Sequence, residues 1–285
     1  MGNPLTDRRP RRWLAVLAIA AVALALTAEL HAQFRQRGFG GRGFGNVRKA
    51  TAADFDGTFQ FCRVAFASDG RGDGGGWSAD FPRADINLSI RLSELTKTRI
   101  GRDSYDDPTH LLIQLTDPEL FDCPFIMMTE VGAASFRADE VANLRAYLEK
   151  GGFLWADDFW GSYAWEWWEE QLRRVLPADQ YPIVDVEPGH ALYHAQFDIK
   201  QTPQITNIGF WTRTGGGTSE RGEDSAVVHT RAVFDKHGQM MVLMTHNTDF
   251  GDAFEREGDD PSFFYAQSVP GYGFGINVLL YTMTH

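Results

Sequence analysis

The chain has little cysteine, no excess of positive charge and a single long apolar run, and each shortage narrows the functional classes open to it. Two cysteines in 285 residues permit at most one disulfide. Neither Cys62 nor Cys123 has the flanking glycines of a tight strand-to-helix turn that would mark a nucleophile. Lysine and arginine total 27 against 38 aspartates and glutamates, a formal net charge of −11, so the surface does not invite nucleic acid or anionic lipid. No H-E-x-x-H, G-x-S-x-G or C-x-x-C occurs, which removes the usual sequence support for zincin, serine-hydrolase and thioredoxin-like chemistry.

The apolar run, Trp13 to Ala28, is shorter than the roughly 18 to 20 residues needed to cross a bilayer as a permanent helix. Arg8, Arg9, Arg11 and Arg12 precede it and Leu30-His31-Ala32 follows. That order predicts a signal peptide over residues 1–32, cleaved near Ala32, and an extracytoplasmic, periplasmic protein; an uncleaved membrane anchor is the alternative. Sec and Tat export both stay open. Removing that segment takes away more arginine than acid, so the mature chain is more acidic still. Residues 33–53, rich in Gly, Arg and Phe, predict a flexible linker. Membrane contact is expected only through the signal or this basic tether. Residues 54–285 are left for a single domain, and at 43% hydrophobic and 13% aromatic content the chain has ample material for its core.

Within it, Thr58–Ala67 (containing FQFCRVAF), Leu111–Leu115, Pro124–Met128 and Phe153–Ala156 read as buried strands of the parallel type. Ala84, Leu88, Leu92 and Leu95 mark one face of a helix, with Pro82 where its first turn begins. A second helix is predicted between Phe136 and Lys150, stopped by Gly151-Gly152. A third spans Ala164–Leu176, with Ser162 as its expected cap. Later strands are expected at Ala226–Phe234 and Met240–Thr245, and a final helix from about Gly275 to Thr282. Strands alternating with helices predict an α/β fold, a three-layer sandwich with a mainly parallel sheet, whose ligands bind at the carboxyl ends of the strands.

The loops leaving those strands carry the chemistry. Gly70–Gly75 (GRGDGG) spells G-x-G-x-x-G, but Trp77–Pro82 intervenes before any helix, and Asp69 and Asp73 would repel a phosphate. A nucleotide is therefore not expected. Glu130 follows one strand and Asp157-Asp158 another. Adjacent carboxylates hold a metal or act as acid and base, or else cap the next helix. His190 is expected at the same edge, as acid, metal ligand or hydrogen-bonded strut. After the strand MMVLMT come His246, Asn247, Asp249 and Asp252. The last three have the spacing of oxygen ligands for calcium without the full EF-hand ladder or its closing glutamate; an Asx-rich turn, stabilised by its own backbone hydrogen bonds, is the competing and favoured explanation. A Cys62–Cys123 bridge would close a loop of about 60 residues, contributing roughly 4 kcal/mol, although both also suit packing as free thiols.

An ordered series of motifs resembles one family. These are Trp77–Thr96 (WSADFPRADINLSIRLSELT), Leu115–Thr129, Asp139–Ser162 with its DDFWG step, Pro188–His194 (PGHALYH), His246–Glu255 (HNTDFGDAFE) and Gly273–His285. Together they resemble the bacterial domain-of-unknown-function family numbered 4159. The resemblance implies a relative of the class I glutamine amidotransferase-like fold, flavodoxin-like in layering. It transfers no activity: the G-x-C-x-G elbow of those amidotransferases is missing here, and Cys123 and Phe254 stand where aromatic and tryptophan residues are usual. Asp80, Asp85, Asn87, Asp157, Asp158, His190, Asn247, Asp249 and Asp252 match its motif positions.

Two functional readings follow. In the first, an exported non-amidotransferase domain binds a small polar ligand, a glycan or an envelope protein at the strand-end edge, through Asp80, Asp85, Asn87, Glu130, His246 and Asn247. In the second, a hydrolase of an envelope polymer uses Asp157 or Asp158 as base, His190 as acid or ligand, and a divalent cation held with Asp249 or Asp252. A third, architectural reading rests on Trp167, which helical spacing leaves outside the core stripe of Trp165 and Trp168 and which would dock a partner if exposed.

Overall fold

A computed structural model describes residues 48–285. The expected signal peptide and most of the expected linker lie outside the described residues. Seven strands form the main sheet: β1 (Phe61–Ala65), β3 (His110–Gln114), β4 (Ile126–Thr129), β6 (Leu154–Asp157), β7 (Ile183–Asp185), β8 (His229–Phe234) and β9 (Met240–His246). Their order is β3-β1-β4-β6-β9-β8-β7. The first five run parallel, and β8 and β7 add an antiparallel edge. Two short strands, β2 (Ala67–Ser68) and β5 (Ala134–Ser135), pair separately. The last residues of the stretch read as linker, from Arg48, lie along β3, where Leu112 donates its amide to Arg48 and accepts from Ala50.

Strand alternation sorts side chains into two layers. Cys62, Val64, Ile126, Met128, Leu154, Ala156, Val242 and Met244 face one side, against helices α2 (Ala138–Glu149) and α3 (Gly161–Val175). Phe61, Phe125, Met127, Trp155 and Leu243 face the other, against α1 (Arg83–Leu95), α5 (Phe250–Glu255) and α6 (Val269–Thr284), while the short α4 (Ile208–Thr214) lies between β7 and β8 in the chain. This is the three-layer α/β sandwich that the periodicities predict. Arg63 falls on the second face with both sides of its strand covered, and is fully buried. Such a charge needs a partner, and it pairs with Asp85 of α1, also fully buried, while donating to Thr129 Oγ1 at 2.9 Å.

Cys62 and Cys123 form a disulfide, joining β1 to the segment that enters β4. The third helix starts earlier than its pattern suggests. Trp160 is its N-cap and Ser162 lies in the first turn; the Gly161 amide is satisfied by Asn247 Oδ1 at 2.8 Å and that of Ser162 by Asp224 Oδ2 at 2.9 Å. The final helix begins at Val269 rather than near Gly275, because a proline in the first turn is compatible with a helix. Its glycines are packing residues: a Cβ on Gly271 would lie 2.7 Å from Ala253 Cβ, and one on Gly275 2.8 Å from the Phe254 ring. The architectural reading rests on Trp167, in α3. It is half-buried, its indole N–H donates to Ala134 O at 2.8 Å, and the Arg71 guanidinium lies 5.7 Å from its ring centre.

Candidate functional site

Three loops leaving the parallel sheet, and the segment that leads into α1, converge on one cleft. Glu130 follows β4, Asp158 follows β6, and Asp249 follows β9 as the N-cap of α5. Asp80 arrives from the segment between β2 and α1. Asp80, Glu130 and Asp158 have left-handed backbones, with φ of 59°, 51° and 55°. Such conformations cost side-chain-bearing residues free energy and gather at functional turns. The cleft has a volume of about 340 Å³, and its wall includes these four carboxylates with Asp252, Glu255, Trp160, Arg221 and Arg256. No histidine, cysteine or lysine is among the described residues lining it. Three hollows among the described residues are larger, about 550 Å³ beside β7 and β8, about 760 Å³ around Tyr181 and Phe234, and about 510 Å³ around Phe59 and Pro124. None collects side chains from the carboxyl ends of successive parallel strands, so the smaller cleft is the better site.

Two of these carboxylates are held by part of their hydrogen-bonding capacity. Asp158 Oδ1 accepts from the Trp160 indole at 2.9 Å. Asp249 Oδ1 accepts from the Asp252 amide at 2.8 Å. Asp80 Oδ2 is buried with no hydrogen-bond partner, and Gly251 makes room for it, since a Cβ there would lie 2.2 Å away. One oxygen each from Asp80, Asp158 and Asp249 lie within 4.8 Å of one another; Asp80, Asp252 and Glu255 form a second such group. In the second group Arg256 intervenes, with its Nε 2.8 Å from Glu255 and 3.6 Å from Asp252.

Burial pushes Asp80, Asp158 and Asp249 well above the usual carboxylate range, and the neighbouring carboxylates push them further. Burial also raises Asp252 to about 6, and it raises Glu130. The charged forms lack water and face one another, which disfavours ionisation unless a cation joins them.

Other residues singled out by the sequence lie elsewhere. Asp157 is wholly buried inside the fold: Oδ1 accepts from the Thr245 hydroxyl and Oδ2 from the Phe250 amide at 2.8 Å, and burial raises its pKa to about 7. The adjacent acids therefore diverge, one into the packing and one into the cleft. His190 does not share their edge. Its Nδ1 accepts from the Leu192 amide at 3.2 Å, and its ring packs against Phe234, whose partner Met240 begins β9, at the opposite end from Asp249. An Asp–His acid/base pair is thereby lost. Asp85 is spent on Arg63, and Asn87 donates to Phe254 O at 2.8 Å, tying α1 to α5.

His246 is buried between Phe159 and His229, with Nε2 2.9 Å from Gly161 O. Asn247 straps Gly161 and Val227. In this loop, which has two readings, Asp249 makes the Asx-type turn, accepting from the Asp252 amide, and Asp249 and Asp252 belong to different carboxylate groups. Glu255, Arg256, Glu220 and Arg221 line the cleft without having been singled out. For Asp252, Glu255 and Arg256 the helical spacing i, i+3, i+4 was the available signal.

A family model described as Domain of unknown function (DUF4159) matches residues 60–283, and the chain belongs to that family. No curated protein matches the chain.

Proposed function

We propose that this DUF4159 domain binds a small, hydroxyl-rich ligand, a glycan fragment of the cell envelope, in the strand-end cleft. One observation carries the reading: Asp158 and Asp249 each accept one hydrogen bond from the fold through Oδ1 and both line the cleft, in a wall where carboxylates outnumber cations. A wall dominated by acceptors selects a ligand that brings donors. The export-type segment at residues 8–32 and the disulfide both support an extracytoplasmic setting. The parallel sheet order is compatible with kinship to the class I glutamine amidotransferase-like fold. Hydrolysis takes second place, because His190 is remote and the described lining residues include no cysteine or histidine nucleophile.

Calorimetric titration of the purified chain with chitobiose tests this. Saturable binding is expected, weakened about tenfold or more in Asp158→Asn, because hydrogen bonds to charged groups contribute about 1.5–3 kcal/mol. Absence of binding to the wild type, or equal affinity in the variant, would refute it.

A further inference from the structure

We infer that Asp80, Asp158 and Asp249 form a site for one divalent cation of calcium type. This deepens the reading of the cleft as the ligand site and rests on it. Three observations meet here. The three side chains come from separate segments yet place one oxygen each within 4.8 Å of the others. Asp158 and Asp249 are 8% and 4% exposed, and each is oriented by a hydrogen bond accepted at Oδ1. Asp80 Oδ2, packed above Gly251, is buried and receives no hydrogen bond. A buried carboxylate oxygen without a donor is costly, and a bound cation removes the cost.

The neighbouring guanidiniums are committed elsewhere. Arg63 is paired with Asp85 beneath the cleft, Arg221 with Asp73 at 3.0 Å, and Arg256 lies on Glu255 and Asp252. Arg256 already serves as the cation of the second carboxylate group, which leaves Asp80, Asp158 and Asp249 as the set that wants an ion.

Oxygen-only ligands select hard cations. Two opposed calcium–oxygen bonds span roughly 4.6–5.2 Å, whereas two magnesium–oxygen bonds span only about 4.0–4.2 Å. Oxygens no more than 4.8 Å apart can be drawn around either ion, but three carboxylates are more than magnesium usually takes from protein, so calcium is the better match. Coordination positions left over would be filled by water or by ligand hydroxyls.

The test is titration of calcium chloride and magnesium chloride into the EDTA-stripped, dialysed chain without organic ligand, read by calorimetry and by melting temperature. Expected are one calcium per chain, calcium favoured over magnesium at least tenfold, and a rise in melting temperature with calcium. Asp158→Asn and Asp249→Asn should each weaken calcium tenfold or more, while Glu187→Gln, exposed and outside the cleft, should leave it within about threefold. Asparagine tolerates the left-handed backbone at 158, and circular dichroism of each apo variant verifies its fold. No calcium response in the wild type, or wild-type affinity in both Asp→Asn variants, would overturn the site. Chitobiose binding in EDTA without any calcium binding would remove the cation and keep the ligand. Calcium binding without chitobiose binding would do the reverse.

Discussion

Arg63→Met probes the support beneath the cleft. The guanidinium and the Asp85 carboxylate are both 0% exposed. The arginine reaches Asp85 through Nε at 3.3 Å and through Nη2, and Thr129 through Nη1 at 2.9 Å. Methionine retains much of the packing volume but strands Asp85 as an unpaired charge between β1 and α1. Breaking a fully buried pair from one side costs about 3–5 kcal/mol, a large share of the roughly 5–15 kcal/mol available to a domain. At about 2–4 °C per kcal/mol for this size, melting should fall by roughly 6–20 °C. The double variant Arg63→Met/Asp85→Leu, which removes both charges, should recover most of the loss, since apolar replacement of a buried pair is often neutral or better. Urea titration monitored by the fluorescence of buried Trp155 and Trp168 gives both values. A single variant within about 1 kcal/mol of wild type, or a double variant no better than the single, would refute the reasoning.

Two further outcomes are expected. Replacing Cys62 and Cys123 together by alanine opens a constraint spanning 61 residues and should lower unfolding free energy by roughly 4 kcal/mol; an unchanged urea midpoint would count against that contribution. His246 is depressed to about 4, first by burial. Between pH 6.5 and 4 the unfolded chain therefore takes up a proton that the folded chain refuses, and this residue's contribution to stability is lost as pH falls, by at most about 1.4 kcal/mol per unit. The buried carboxylates have the opposite slope, so the effect is read as the difference between wild type and His246→Phe across that window. Parallel profiles would contradict it.

The alternating strands and the helices α1 to α3 were legible because burial imposes periods of two and 3.6 on their side chains. Beyond residue 176 the pattern blurs. Pro270 and the glycines of α6 mimic a loop while serving a first turn and close packing against Ala253 and Phe254. Asp158, Asp249 and Asp252 were recognisable as strand-end acids, and Asp80 from its place in a motif. Nothing local in the sequence reports that Asp157 turns inward to Thr245 and Phe250, or that His190 lies at the other end of the sheet. Those assignments depend on register across strands about ninety residues apart, as the bond from Thr245 to Asp157 illustrates.

The left-handed backbones at Asp80 and Asp158 give this cleft a peculiar evolutionary memory. Asparagine and glycine satisfy such turns, whereas alanine adds strain of about 1–2 kcal/mol. Alanine scanning would therefore mix folding damage with lost chemistry, and asparagine is the cleaner probe. A relative that has lost the proposed ligand should keep Asn or Gly at these two positions, since both satisfy the turn. Its sequence would then preserve the shape of the turn after its purpose had gone.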